Sequence, residues 1–220
     1  MSRKKTVVLT FDDAVISHLE NVAPLLKEYG FGATFFICRF NDEWRAAHSS
    51  ALMSAEQIRE ISRMGFEIGN HTWNHPDLRK LQEEQILEEI QKLDDFLVDA
   101  GIPKPVTFAY PGGPYAENAV PILKKKGFLA ARTTEQRAFD AKTDDPMRLP
   151  AIPIQGDDPA LFRNAVSRAT ETEAVVLVFH GVPEYVHPWV HTDFERFKEY
   201  MAYLKENDFR VLSLRDALRG

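Results

Sequence analysis

Two adjacent carboxylates, Asp12 and Asp13, close the apolar run Thr6-Val7-Val8-Leu9-Thr10-Phe11. Charges at the end of a buried strand are costly to desolvate unless a cation or a proton-transfer partner uses them. Neighbouring strand residues point to opposite faces, so the two need not share a job: one can bind a cation while the other takes a proton. Downstream, His71 and His75 stand at i and i+4, a spacing that puts both imidazoles on one side of a helical turn. Two histidines and one carboxylate make a facial metal site that leaves positions open for water and substrate. The competing uses are plain ones. Asp is a common helix N-cap, and a helical pattern begins near Ala14; a lone His-x-x-x-His can be a surface coincidence. The other strand ends favour chemistry: Gly112-Gly113, Arg132 and His180 each follow or end an apolar segment.

The elements that must carry these residues alternate. Apolar, β-branched or aromatic runs at 6–9, 33–38, 66–70, 106–110, 128–133, 175–179 and 209–214 read as strands. Residues 147–154 read as an edge or irregular strand, because Pro150 and Pro153 remove donors. Helical patterns fill the intervals. One runs from Val15 to Tyr29, with Pro24 predicting a kink or split and Gly30 a C-cap. A Ser54-x-x-Gln57 capping box opens a second. A third, Glu83–Ala100, aligns Ile86, Ile90, Leu93 and Leu97 on one face. Further helices are expected at 117–126, 158–171 and 192–207, and residues 39–53 read as a long loop. About seven strand–helix alternations call for parallel strands with right-handed crossovers, a (β/α) barrel somewhat short of eight regular units. The reading is α/β, with residues 1–220 as one domain. In such a barrel all the polar strand ends converge on one mouth.

Composition narrows the function. A net charge of −6 with signs interspersed argues against a nucleic-acid surface or a polybasic membrane patch. The single cysteine, Cys38, excludes an intrachain disulfide and a thiolate metal cluster. No N-terminal apolar leader precedes the first strand, so the chain reads as cytoplasmic as written, or as extracytoplasmic if a signal has been trimmed.

Thr10-Phe11-Asp12-Asp13, His71-Thr72-Trp73-Asn74-His75 and Leu177-Val178-Phe179-His180 resemble the first, second and fifth motifs of the polysaccharide deacetylases, the NodB-homology family. Tyr110-Pro111-Gly112-Gly113 resembles the third. The order is the same, and the likeness runs from residue 6 to about 215. It implies metal-dependent removal of N-acetyl, sometimes O-acetyl, groups from a carbohydrate, on a distorted barrel. By that resemblance Asp13, His71 and His75 bind one divalent ion, with Zn²⁺ expected and Co²⁺, Ni²⁺ or Mn²⁺ as alternatives. Asp12 is the general base: a water on a divalent cation is far more acidic than bulk water, so a carboxylate can take its proton at neutral pH. The backbone N–H of Gly112 would help hold the oxyanion, and His180 would protonate the departing amine. Tyr110, Pro111, Val178 and Trp189 are the expected substrate contacts, Val178 because strand parity puts it beside His180.

Two departures stand out. The family often carries an Arg two residues before the third-motif proline, where this chain has Ala109. Its fourth motif, an Asp-rich stretch with a Trp, is missing near residues 131–139. Arg132 could supply the lost charge to Asp12 from the next strand, with Glu135 nearby. His18 reads as solvent-facing on the first helix, Trp73 as packing, and Trp44, His187 and His191 as loop residues with packing or sugar-stacking roles. Competing functions are a C–N hydrolase of a small cyclic amide or formamide, and a non-catalytic carbohydrate-binding relic. The full set Asp12, Asp13, His71, His75 and His180 argues against the relic.

Overall fold

The computed structural model describes residues 4–156 and 158–219. Its centre is β1 (Thr6–Asp12), buried along its whole length. One edge of β1 pairs with β7 (Val175–Phe179) from Val7 to Phe11. The opposite edge is divided: β8 (Arg210–Leu212) lies beside Thr6–Val8, and β2 (Thr34–Ile37) beside Thr10–Asp12. From β2 the sheet continues through β3 (Glu67–Asn70) and β4 (Thr107–Ala109) to β5 (Ala130–Arg132). From β7 it continues to the short β6 (Ile152–Pro153). All these pairings are parallel, and the (β/α) barrel expected from the alternation, distorted as the resemblance implies, is the fold observed.

The irregular segment anticipated at 147–154 closes the barrel. Its Leu149 bridges Arg132, with Leu149 donating to Ala131 O (2.9 Å) and accepting from Thr133 N (2.8 Å). Three residues on, Ile152 and Pro153 pair with Leu177 and Val178 of β7. One stretch of chain therefore spans the gap between two strands without forming a full ladder with either. Pro150 and Pro153 explain why, since neither has an N–H to donate.

Strand alternation sorts the side chains into two environments. Val7, Leu9, Phe11, Phe35, Leu177 and Phe179 face outward into a core shared with the helices. Those helices are α1 (Ala23–Tyr29), α2 (Asp42–Ala47), α3 (Ala55–Arg63), α4 (Glu83–Asp99), α5 (Val120–Lys126), α6 (Pro159–Val166), α7 (Phe194–Glu206) and α8 (Leu214–Leu218). On α4 the stripe Ile86, Ile90, Leu93 and Leu97 is buried as its periodicity requires. The opposite parity, Val8, Phe36, Ala109, Ala130, Val176 and Val178, packs inside the barrel. The lower interior is polar and fully bonded: Glu67 accepts from Thr34 Oγ1 (2.6 Å), Thr107 Oγ1 (2.7 Å) and Arg215 N (2.9 Å). That leaves the upper interior for Asp12 and Arg132.

Three local expectations change. Pro24 does split the first helix, but its N-terminal part is a π-helix, His18–Val22, and Pro24 sits in the first turn of α1, where a missing N–H costs nothing. The loop 39–53 contains α2, capped by Asn41 Oδ1 accepting from Trp44 N (2.9 Å); its six residues are too few for an apolar period to show. His18 is 0% exposed rather than solvent-facing, wedged against Phe11 (5.6 Å between ring centres) and Phe35 (5.5 Å). Among the described residues no helix is long and apolar enough to cross a membrane.

Gly69, inward-facing on β3, admits the Phe36 ring. A Cβ at Gly69 would lie 2.4 Å from two ring carbons of Phe36. Phe36 in turn lies 5.1 Å from the Arg132 guanidinium. Gly69→Ala should therefore destabilise the fold by about 1–3 kcal/mol through overpacking, measured by urea unfolding. An unchanged unfolding midpoint would mean the ring has room to move.

Candidate active site

The barrel mouth holds a cavity of about 310 Å³ whose lining includes Asp12, Asp13, His71, His75, Arg132 and His180. The residues that the sequence placed at four separate strand ends are thus brought together. β1 delivers Asp12 as its last residue; Asp13 and Ala14 then take left-handed backbone (φ 74° and 54°), turning the chain sharply at the sheet edge. Such conformations cost non-glycine residues energy and cluster where function fixes geometry. Phe40, Thr72 and His75, also at this mouth, share them (φ 58°, 68° and 59°).

His71 and His75 are not on a helical turn, as their spacing suggested. Residues 71–75 form an irregular loop whose shape is set by side-chain bonds that compete with a helix. Asn70 Oδ1 accepts from Thr72 N (2.8 Å), and Thr72 Oγ1 accepts from His75 N (3.1 Å). Glu89 of α4 grips the loop from outside, taking Asn74 N and Nδ2 (both 2.7 Å) on its two oxygens. Asn70 is itself held from α4, donating to Ile90 O (3.0 Å) and Asp94 Oδ1 (2.8 Å). The two imidazoles end 4.7 Å apart at 74°.

Asp13, His71 and His75 offer ligand atoms all within 4.8 Å of one another. Asp13 Oδ1 lies 3.8 Å from His71 Nε2 and 3.7 Å from His75 Nε2. Ligands at 2.0–2.2 Å around a tetrahedral ion stand roughly 3.4 Å apart, so the donor set fits a small divalent cation. The His71 tautomer fits too: Nδ1–H donates to Ala109 O (2.8 Å), leaving the Nε2 lone pair facing the two aspartates, 3.7 Å from Asp12 Oδ2 and 3.8 Å from Asp13 Oδ1. Burial lowers the His71 pKa to about 4, against the pull of Asp12, so the ring is neutral at pH 7. Burial would raise the Asp13 pKa, but the surrounding imidazoles, His75 foremost, bring it below the usual carboxylate range.

Asp12 borders that cluster, its Oδ2 3.7 Å from His71 Nε2, but its hydrogen-bond partner is a different one. Arg132 Nη2 donates to both Asp12 oxygens inside the barrel, the guanidinium side chain being 1% exposed. Burial alone would raise the Asp12 pKa; Arg132, with His71 and His180, outweighs it and keeps the group ionised. The contact inferred from Ala109 and the missing fourth motif is therefore present. Ala109 and Arg132 are paired neighbours across β4 and β5, so the cation that reaches Asp12 comes from the strand beside Ala109. Glu135 takes no part, pairing with Arg148 (2.6 Å).

His180 stands on the other side, Nε2 3.9 Å from Asp13 Oδ2. Val178, buried, and Trp189, 68% exposed, line the cavity with it. Gly112 lines it as well, in a turn closed by Gly113 N donating to Tyr110 O (2.9 Å); Pro111 and Gly112 (φ 68°) occupy the inner positions, as in type II turns. Tyr110 and Pro111, expected substrate contacts, are not among the residues lining this cavity. Ala109 faces inward, so Tyr110 faces outward, where its hydroxyl donates to Met147 O (2.9 Å). Trp44 is also absent from the lining; His187 stacks on it at 5.4 Å and 11°. Phe40, Thr134, Pro153, Gln155, His187 and Val190 complete the wall; of these, sequence reading marked only His187 as a loop residue near the site and Pro153 as part of an edge strand. Phe40, Thr134, Gln155 and His187 sit on irregular segments, and Pro153 and Val190 on elements of two and three residues, all too short for periodicity to give a direction. His187 Nδ1 comes within 4.0 Å of Asp13 Oδ2 because Glu184 Oε1 accepts from Val186 N (2.8 Å) and His187 N (3.1 Å), folding the loop inward.

Removing one partner of a buried ion pair strands the other charge. Arg132→Ala should cost the metal-free protein about 3–5 kcal/mol at pH 7 in denaturant unfolding, with Arg132→Lys recovering part of it. A loss below about 1 kcal/mol would show that solvent reaches Asp12 freely.

Residues 1–131 match the sequence family described as polysaccharide deacetylase. A poly-beta-1,6-N-acetyl-D-glucosamine N-deacetylase from Staphylococcus aureus is 28% identical over 163 residues, which are 70% of this chain and 56% of that protein. The chain thus spans little more than half the length of the curated relatives it matches. A family 4 carbohydrate esterase from Streptomyces lividans, solved with acetate, superposes with a TM-score of 0.65 at 20% identity, over 95% of this chain and 92% of that one. A CE4 family pseudoenzyme from Bacillus anthracis superposes at 0.68 and 21% identity, over 99% and 66%. An esterase and a pseudoenzyme share this fold, so fold alone does not assign activity. With more than half of its length matched in sequence, and the motifs of that match gathered at one barrel mouth, the chain belongs to the polysaccharide deacetylase family.

Proposed function

We propose that this protein is a catalytically competent, metal-dependent deacetylase that removes N-acetyl groups from a carbohydrate, with O-acetyl groups as the related alternative. The observation that carries the proposal is the separation of roles around one cavity. A cation-fitting Asp13–His71–His75 set stands between Asp12, held by Arg132, and His180 across the mouth. A non-catalytic relic would have no need to keep a buried carboxylate, a buried guanidinium and three convergent imidazoles, each costly to desolvate.

Asp13 Oδ1, His71 Nε2 and His75 Nε2 would hold one divalent ion, Zn²⁺ by the character of the donors. When bound, it would supply Lewis acidity, polarising the acetyl carbonyl and acidifying the attacking water. Arg132 keeps Asp12 ionised and turned toward the cavity, so that its carboxylate can take the water's proton rather than become a further ligand. The Gly112 N–H, in its turn at the rim, supports the oxyanion. His180 gives a proton to the amine nitrogen as the C–N bond breaks, since an amide nitrogen leaves poorly without one. Val178 walls the acetyl methyl, and Trp189, exposed at the rim, offers a face for a sugar ring. Residues 1–220 act as one domain in this reading. An extracytoplasmic setting suits the polymer named for the Staphylococcus aureus relative, poly-beta-1,6-N-acetyl-D-glucosamine.

The test is acetate release by the zinc-loaded protein from chitooligosaccharides, poly-β-1,6-N-acetylglucosamine, peptidoglycan and acetylxylan. Asp12→Asn should retain zinc and lose rate by about 10²–10⁴-fold. Asp13→Asn, His71→Ala and His75→Ala should lose zinc itself, measured by metal analysis after dialysis. Full zinc occupancy in the His variants would refute the metal assignment. Acetate from none of the substrates would refute the deacetylase reading.

A further inference from the structure

The most unusual buried group outside the reacting set is His18. It is 0% exposed and surrounded by the rings of Phe11 and Phe35, and its Nδ1 has no hydrogen-bond partner. A phenylalanine would fill such a place without burying an unpaired polar atom, so the imidazole weakens the fold unless it serves some other end. Its single polar contact runs to the active site: Nε2–H donates to the main-chain carbonyl of His180 (2.9 Å). Burial holds the ring neutral, with a pKa of about 4, which leaves one N–H to donate and fixes which nitrogen carries it.

His18 does not act alone. Val182 N donates to Ser17 Oγ (2.9 Å), and Asn21 Nδ2 donates to Val182 O (2.9 Å). Ser17, His18 and Asn21 lie at and within the π-helix His18–Val22, whose turn closes from Ala23 N to His18 O. The wide i→i+5 turn departs from α-helix spacing, and π-turns recur at functional sites. From the other side, Glu184 Oε2 accepts from Gly181 N (2.8 Å). Four main-chain polar atoms of residues 180–182 are thus gripped by side chains, three of them from a helix distant in sequence.

We propose that His18, supported by Ser17 and Asn21, is a positioning residue that fixes the backbone of His180 and so aims its imidazole at the departing nitrogen. This rests on His180 being the proton donor. In that step the proton passes from His180 to the amine nitrogen as the C–N bond breaks, leaving acetate and a free amine. A carbonyl shifted by an ångström would misaim the donor, which is enough to cost a large factor in rate.

The experiment compares two substrates of different leaving-group demand in zinc-loaded wild type, His18→Phe, His18→Gln and His180→Ala. One is the acetamido sugar that responds in the acetate-release panel; the other is para-nitrophenyl acetate, whose phenolate leaves without a proton. His18→Phe should lose about 10–100-fold in kcat on the amide. It should lose far less on the ester, with KM and zinc content near wild type and a cooperatively folded protein. His18→Gln, which keeps a donor near the Nε2 position, should regain most of the amide rate. Equal losses on both substrates with a lowered melting temperature would make His18 a packing residue and overturn the inference. If His180→Ala loses the amide selectively while His18→Phe does not, the inference fails and the proton-donor reading stands. If His180→Ala shows no selective loss, or no amide responds at all, the reading beneath it fails too. Should His18→Phe not fold, the half-buried Asn21→Ala carries the same amide-to-ester comparison.

Discussion

The buried contact between Arg132 and Asp12 is the constraint from which most of the site follows. A carboxylate inside a barrel must be neutralised or matched, and here a guanidinium on β5 reaches across to the last residue of β1. Matching keeps Asp12 ionised and directs both of its oxygens, which leaves Asp13, on the opposite face of the turn, to the histidines. The pair also explains the packing beneath it. Phe36 lies against the guanidinium, and β3 carries Gly69 where any Cβ would strike that ring. The chain from Gly69 through Phe36 and Arg132 to Asp12 is one mechanical unit, built from the inward parity of four strands.

Around that unit the protein fixes loops by saturating their main-chain polar groups with side chains. The 71–75 loop is held by Asn70, Thr72 and Glu89; the 180–187 loop by Ser17, His18, Asn21 and Glu184. Neither loop has regular structure, and both carry imidazoles that must meet at one small cavity. Side-chain clamps provide that rigidity where helix and sheet ladders cannot. The left-handed residues Asp13, Phe40, Thr72 and His75 are consistent with this, since such backbone persists only where its surroundings over-determine it.

A likeness in fold joins this chain to an esterase and to a pseudoenzyme alike. What separates the two possibilities is whether the polar residues at the mouth are mutually arranged for chemistry. Here the buried carboxylate Asp12 is given its cation by Arg132, the cross-strand neighbour of Ala109.

Much of this was determined by the sequence itself. The apolar runs, the Ser54 capping box, the glycine C-caps and the α4 stripe set strand and helix order, because these signals act over a few residues and need no distant partner. The polar strand ends marked Asp12, Asp13, His71, His75, Arg132 and His180 as candidates, since parallel barrels gather such ends at one mouth. What only the tertiary structure decided was direction and company. The 71–75 loop abandons the helical turn because Asn70 and Thr72 satisfy its backbone otherwise. Tyr110 turns away from the cavity because Ala109 takes the inward parity. His18 is buried because a π-turn rotates it between Phe11 and Phe35, and Glu184 draws His187 inward through contacts local to a loop without period. Such outcomes depend on which groups meet across more than a hundred residues of chain, as His18 and His180 do, and no local pattern encodes that meeting.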